Sequence, residues 1–247
     1  MVGESVVSRV VRIVEAFAAG ERALGVSEIA RRSGLHVATV SRQVEQLVGS
    51  GWLERTEDRR VRIGVRLWEV ASRASPTVGL REAAMPFMED LHAVVGQHVQ
   101  LGVREGTEVL FVERLSAPGA VINLTPIAGR LPLHASSGGL VLLAFAPPDV
   151  QEEVLSGRLR RFTDQTITDR GRLRKVLAEV RRNGSVVCRG HIHVDAAGVA
   201  VPVRDGAGVV DAALAVVVPN NREAHRVVPA LQTAAHGITR MRETLSR

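Results

Sequence analysis

Residues 27–47 read SEIARRSGLHVATVSRQVEQL, two short runs with apolar residues at helical spacing on either side of Gly34-Leu35. In the first run Ser27 stands where an N-cap is expected, ahead of Glu28, Ile29, Ala30, Arg31 and Arg32, and Gly34 can take the left-handed conformation that ends a helix. In the second run Val40, Val44 and Leu47 form one apolar stripe, leaving Thr39, Ser41, Arg42, Gln43 and Gln46 off it. Upstream, Val7, Val10, Val11, Val14, Phe17 and Ala18 repeat at three- and four-residue spacing and predict another helix, which Gly20 can end. Taken alone, these stripes fit any small three-helix core.

The next stretch narrows the choice. Residues 50–63, SGWLERTEDRRVRI, predict a turn at Ser50-Gly51, a strand over 52–55, a charged tip over 56–60 and a return strand over 61–63. Arg55, Arg59, Arg60 and Arg62 then sit on a two-stranded wing beside the third helix. That order of elements describes a winged helix-turn-helix, in which the third helix enters the major groove of double-stranded DNA and the wing follows the adjacent backbone.

Composition agrees and excludes several classes. With 247 residues and 45% apolar side chains the chain can build one large domain or two ordinary ones. Its longest apolar stretches, 140–148 and 212–219, fall short of the roughly 18–20 residues that span a bilayer. Glu4, Arg9, Arg12 and Glu15 interrupt the apolar pattern at the N-terminus, so no signal peptide is read there and a cytoplasmic location is expected. The one cysteine, Cys188, excludes an internal disulfide and a multi-cysteine zinc site. Basic residues outnumber acidic ones by 32 to 26, and all but Lys175 are arginine, whose planar fork suits phosphate.

Beyond the wing, Val65, Trp68, Val70 and Ala71 predict a helix that SPTVG at 75–79 interrupts. Leu80, Ala84, Phe87, Met88, Leu91, Val94 and Val95 continue a helical stripe that Pro86 starts or kinks. Residues 97–115 alternate around Glu105-Gly106-Thr107 and predict an antiparallel hairpin. Thr168-Asp169 opens a helix with Leu173, Val176, Leu177 and Val180 on its face, stopped at Asn183-Gly184. A second hairpin turn, VRDGAGVV, joins 198–203 to 209–218, and a last helix is expected near 222–245. This mixture predicts an α+β domain with an antiparallel sheet. The expected organisation is a DNA-binding domain over 1–64, a helical linker over 65–79 and a second domain over 80–247.

Four segments carry a resemblance. Residues 26–55, LPLHASSGGLVLLAF at 131–145, FTDQTITDRGRLRKVLAEVRRNG at 162–184 and GVAVPVRDGAGVVDAALAVVVP at 198–219 resemble, in this order, the IclR-type bacterial transcriptional regulators. The resemblance implies a recognition helix over 37–48, with Thr39, Ser41, Arg42 and Gln43 toward the groove. His36 and Val37 stand where the family commonly has a proline and a basic or polar residue. The second domain is implied to be GAF-like and to bind a small organic effector. A dimer or a dimer of dimers is implied too, since one module makes too few base contacts for genomic specificity.

By the same resemblance the effector pocket falls at Ser136, Ser137, Gly138 and Gly139, at Gly198 where the family has a cysteine, and at Ala215 and Val217 where it has serines. Cys188 replaces an acidic residue often found ten positions before that cysteine. Fewer donors and more volume imply an effector larger and more apolar than a two- or three-carbon acid, such as an aromatic or medium-chain acid. Ser136, Ser137 and the N–H groups of Gly138 and Gly139 would hold its polar end. Two other readings stay open. In CRGHIHVDAAG, an extended chain would put His191, His193 and Asp195 on one face beside Cys188 as ligands for a transition metal. Cys188 with His191 or His134 would suit thiol catalysis. No phosphate-binding Gly-Lys-Ser loop or dinucleotide fingerprint is present, so neither a cofactor nor an enzyme is expected.

Overall fold

The computed structural model describes residues 4–18, 20–74, 77–123 and 127–245. They divide into two compact units, Met1–Val78 and Gly79–Arg247.

The first unit holds α1 (Val6–Glu15), α2 (Val26–Ser33), α3 (Val37–Gly49), the strands β1 (Leu53–Arg55) and β2 (Val61–Ile63), and α4 (Val65–Ala74). Its core is Ile13, Ala16 and Phe17 from the first helical region, Leu24, Ile29 and Ala30, and Val40, Val44 and Leu47 of α3, closed by Leu53 and Val61. The expected stripe on α1 is rotated: Val7 is 71% exposed and Val11 47%, while Ile13 is fully buried. The helix ends at Glu15, before Gly20, so Ala16 and Phe17 turn inward beyond its last turn. Gly25, and not Ser27, is the N-cap of α2, and Ser27 lies exposed in the first helical turn. Gly34 does end α2, at a φ of +63° that a side chain would strain. Leu24 pairs with Val61 through two N–H to O bonds of 2.8 Å, adding a third edge to the wing. Both tryptophans belong to this unit, Trp52 at 37% and Trp68 at 65% exposure. Of the expected break at 75–79, Ser75 and Pro76 lie outside the described residues, and Val78 already begins the next helix.

The second unit is built on six antiparallel strands: β3 (His98–Glu105), β4 (Glu108–Leu115), β5 (Arg130–Pro132), β6 (Val186–Arg189), β7 (Ala196–Arg204) and β8 (Val210–Pro219). Their order across the sheet is β5-β4-β3-β8-β7-β6. Helices α5 (Val78–Val95) and α9 (Val228–Leu245) belong with one face; α6 (Ser137–Ala144), α7 (Pro148–Ser156) and α8 (Arg170–Asn183) belong with the other. Both faces are covered, and the two-residue period of a strand sorts the side chains between them. Leu101, Val199, Val201, Leu214 and Val216 join Met88 and Ile238 on the first side. The second side is paved with small residues, Ala200, Ala213 and Ala215 among them, under a helix whose eight residues are all buried. Small residues let α6 lie close: a Cβ on Gly139 would fall 2.5 Å from the Leu133 carbonyl oxygen. Gly184 ends α8 at a φ of +63°, as the Asn183-Gly184 pair predicts, and Asp169 caps its start by accepting from the Arg172 N–H at 2.7 Å.

Candidate functional site

The first unit presents α3 as its candidate nucleic-acid interface. The core stripe takes positions 40, 43, 44 and 47, so Gln43 faces inward. It is 2% exposed, with Oε1 unpartnered among the described residues, and its expected place in the groove is therefore corrected. One helix radius away, Arg42 is exposed, Thr39 and Ser41 are half-buried beside it, and Val37 opens the helix at 47% exposure after His36 as N-cap. Gln46 is exposed off the stripe as expected, and Ala38 and Glu45 share that open side, which the 40/43/44/47 spacing also marks.

The wing arginines divide by what already holds them. Arg55 is tied to Glu45 of α3 and reaches the Arg59 carbonyl oxygen at 3.3 Å, bracing wing to helix. Arg60 donates to the Ala23 carbonyl oxygen, and Arg62 pairs with Glu54 at 2.8 Å. Arg59, at the tip with a φ of +63°, makes no side-chain hydrogen bond or ion pair among the described residues, and neither does Arg42. On α2, Arg31 and Arg32 grip Glu28, each at 2.6 Å, and these bonds hold its carboxyl down at about 2.

The second unit contains a cavity enclosing about 530 Å³ of space not filled by protein atoms, its mouth included. Its floor is the small-residue face of the sheet: Gln100 on β3, Ala215 and Val217 on β8, Gly198 on β7 and Cys188 on β6. The register lays Cys188 beside Gly198 and Gly198 beside Val217. Phe111 and Leu131 form an apolar wall, and Ser136, Ser137 and Gly138 contribute from the start of α6. Gly139 does not line it. Its N–H is taken by the Ser136 hydroxyl oxygen at 3.1 Å, and its missing side chain serves the contact with Leu133. Ser136 is thus an N-cap as well as a lining residue. Ser137 packs against Gly198, where a Cβ would come within 2.7 Å of its Oγ.

The metal reading is not supported by the local geometry. Residues 190–195 turn between β6 and β7, with Gly190 at a φ of +69°, so His191, His193 and Asp195 do not lie along one extended face. Among the described residues no group of three His, Cys, Asp or Glu side chains is arranged to hold a metal ion. Cys188 is buried, and desolvation pushes its thiol up to about 12, which removes the thiolate a nucleophile requires. His134 donates from Nε2 to the Arg160 carbonyl oxygen, 3.0 Å away, and is not part of the lining.

His191 does line the cavity, and its Nδ1 has no partner among the described residues. Burial first, then the positive Arg172 nearby, holds this imidazole down at about 4, against an ordinary 6.5. Between those values the unfolded chain binds a proton that the folded chain does not. His191 therefore costs no stability above pH 6.5, and stability is lost as pH falls toward 4. Thermal unfolding at pH 7 and at pH 5 should show a smaller drop for His191→Gln than for the unmodified chain; equal drops would place the titration elsewhere.

A winged helix-turn-helix unit joined in one chain to a unit with a lined cavity defines a DNA-binding protein with a small-molecule input. The chain belongs to the IclR family of bacterial transcriptional regulators. Residues 73–240 match the family's C-terminal part, "Bacterial transcriptional regulator IclR C-terminal", and residues 6–57 match the "IclR helix-turn-helix domain". The chain is 30% identical to the HTH-type transcriptional regulator BhcR of Paracoccus denitrificans, over 85% of this chain and 76% of that protein. It is 28% identical to the regulator XynR of Escherichia coli, over 84% of this chain and 83% of that one. Among solved structures, an IclR homologue from Microbacterium hydrocarbonoxydans complexed with 4-hydroxybenzoate is 47% identical, with a TM-score of 0.94 over 97% of this chain and 100% of that one. An HTH domain for DNA and a C-terminal effector domain are therefore the two working parts. Among the described residues no helix is long and apolar enough to cross a membrane.

Proposed function

We propose that this regulator acts in the cytoplasm, holds operator DNA through α3 and the wing tip, and changes its hold when an aromatic acid enters the cavity of the second unit. In this reading the DNA-binding domain covers 1–64, the linker 65–79 and a GAF-like effector domain 80–247. The observation that carries it is the mixture of surfaces in the cavity. Ala215, Val217, Phe111 and Leu131 offer an apolar slot, and donors gather at the start of α6, where the N–H groups of Ser137 and Gly138 meet the positive end of the helix. A carboxylate fits that end, a ring fits the slot, and the related structure that holds 4-hydroxybenzoate supports the same class. Self-association as a dimer or a dimer of dimers is part of the proposal. The exposed Val65, Trp68 and Val70 on α4, at 58%, 65% and 50%, supply apolar surface of the kind an interface covers.

A thermal-shift screen tests the effector class, because a ligand bound only to the native state raises the melting temperature. Benzoate and hydroxybenzoates should stabilise the protein, whereas glyoxylate and pyruvate should leave it within about a degree. Gly198→Leu serves as the blocked control: even its Cβ displaces Ser137, so the variant should lose the response. Stabilisation by the compact acids alone would sink the aromatic reading.

A further inference from the structure

His191 Nδ1 is not the sole polar atom of the cavity lining that the described residues leave unsatisfied. Gln100 is 3% exposed, and its Nε2 has no acceptor among the described residues. An unpaired buried amide costs about 1–3 kcal/mol, and folded proteins keep few of them. Its strand neighbours give no relief: the register sets it between Ala215, which has nothing to offer, and Arg114, whose side chain carries donors only. Gln100 therefore presents an amide N–H to whatever fills the cavity.

The position of that N–H across the sheet is informative. Gln100 is on β3, and Ser137 sits over Gly198 on β7, with β8 between them. Two strand spacings across and two residues along make about 12 Å between the backbone positions of Gln100 and Gly198. The floor between them, Ala215 and Val217, is apolar. Such a slot takes one ring with an oxygen group at each end. The α6 end attracts the charged one, through the helix terminus and Ser137, and leaves the other to Gln100. A substituent beside the carboxylate, or one carbon further round, falls short of the amide.

Resting on the reading of the cavity as an aromatic-acid site, we propose that Gln100 is its specificity residue: it donates to a ring oxygen opposite the carboxylate, so that the protein selects a para-hydroxylated aromatic acid over the unsubstituted one. A site that holds a buried donor rejects ligands lacking the matching acceptor more strongly than an apolar site rejects an extra group.

Calorimetric titration of the full-length protein with 4-hydroxybenzoate, 3-hydroxybenzoate, 2-hydroxybenzoate and benzoate tests this. The unmodified chain should bind the para isomer at least tenfold more tightly than the other three. Gln100→Leu should weaken 4-hydroxybenzoate at least tenfold and change benzoate less than threefold, so that the preference collapses. The isomer series on the unmodified chain decides the matter even if the variant does not fold. Equal affinity for benzoate and its para-hydroxylated form, or a preference that survives in Gln100→Leu, overturns the role of Gln100 and leaves the aromatic-acid reading standing. Absence of binding by all four acids overturns both.

Discussion

Gly139→Ala is expected to destabilise the second unit by about 2–3 kcal/mol, within the range for overpacking a core. The added methyl would lie 2.5 Å from the Leu133 carbonyl oxygen and 2.8 Å from its Cα, and those are backbone atoms that no rotamer change can move. Alanine's better helix propensity, worth up to about 1 kcal/mol, does not offset this. The adjacent Gly138 makes the comparison clean. A Cβ there meets Ala213 at 3.8 Å and Phe111 at 4.0 Å, ordinary contacts, so Gly138→Ala should be neutral or slightly stabilising. Scanning calorimetry should show a melting transition about 5–10 °C lower for Gly139→Ala and little change for Gly138→Ala. Similar behaviour of the two variants would mean that α6 shifts freely against the 131–135 segment.

The other large effect belongs to DNA. Arg42→Ala should reduce operator affinity by ten- to a hundredfold, the range of about 1–3 kcal/mol for a side chain reading a base edge, and should relax preference at the base it touches. Arg59→Ala should weaken all sequences alike and lower the salt slope by about one ion, as loss of a phosphate contact does. The structure separates these two from the other wing arginines. Arg55 and Arg60 are bound to Glu45 and to the Ala23 carbonyl oxygen, so replacing them disturbs the wing itself. Footprinting followed by titration across salt concentrations reads both effects. Unchanged affinity in Arg42→Ala and Arg59→Ala together would remove α3 and the tip from the DNA-facing surface.

Local signals locate several turns but not every helix end: Ser27 does not cap α2 and Gly20 does not end α1. Gly106, Gly34 and Gly184 stand at the positive-φ turns their spacing implies, and the 3.6 and 2.0 periods placed most of the core. Gln43 obeys the same rule: position 43 follows Val40 by three, so the helical spacing turns it inward although it is polar. Helix α7 carries a local signal of its own, Pro148 at its first helical position after Pro147. Gln100 was hidden for a different reason. In a strand covered on one side an alternating polar residue points to water, but this sheet is covered on both, and only the placement of α6 above β3, β7 and β8 shows that Gln100 is shut in. The 188–198 segment likewise depended on Gly190 adopting a turn, which breaks the alternation that made a metal site attractive.

The placement of the aromatic residues gives the two units separate optical signatures. The chain has two tryptophans and no tyrosine, and Trp52 and Trp68 both lie in the first unit. The effector unit is consequently dark at wavelengths where indole is excited. A hydroxylated aromatic acid entering it would be its only strong near-ultraviolet chromophore and would report its own burial. Any change of tryptophan emission on adding that acid, once its absorbance is corrected for, arises in the first unit, at Trp52 or Trp68. Occupancy of the cavity and its consequence at the far end of the chain can thus be followed as two colours in one cuvette, without labels or substitutions.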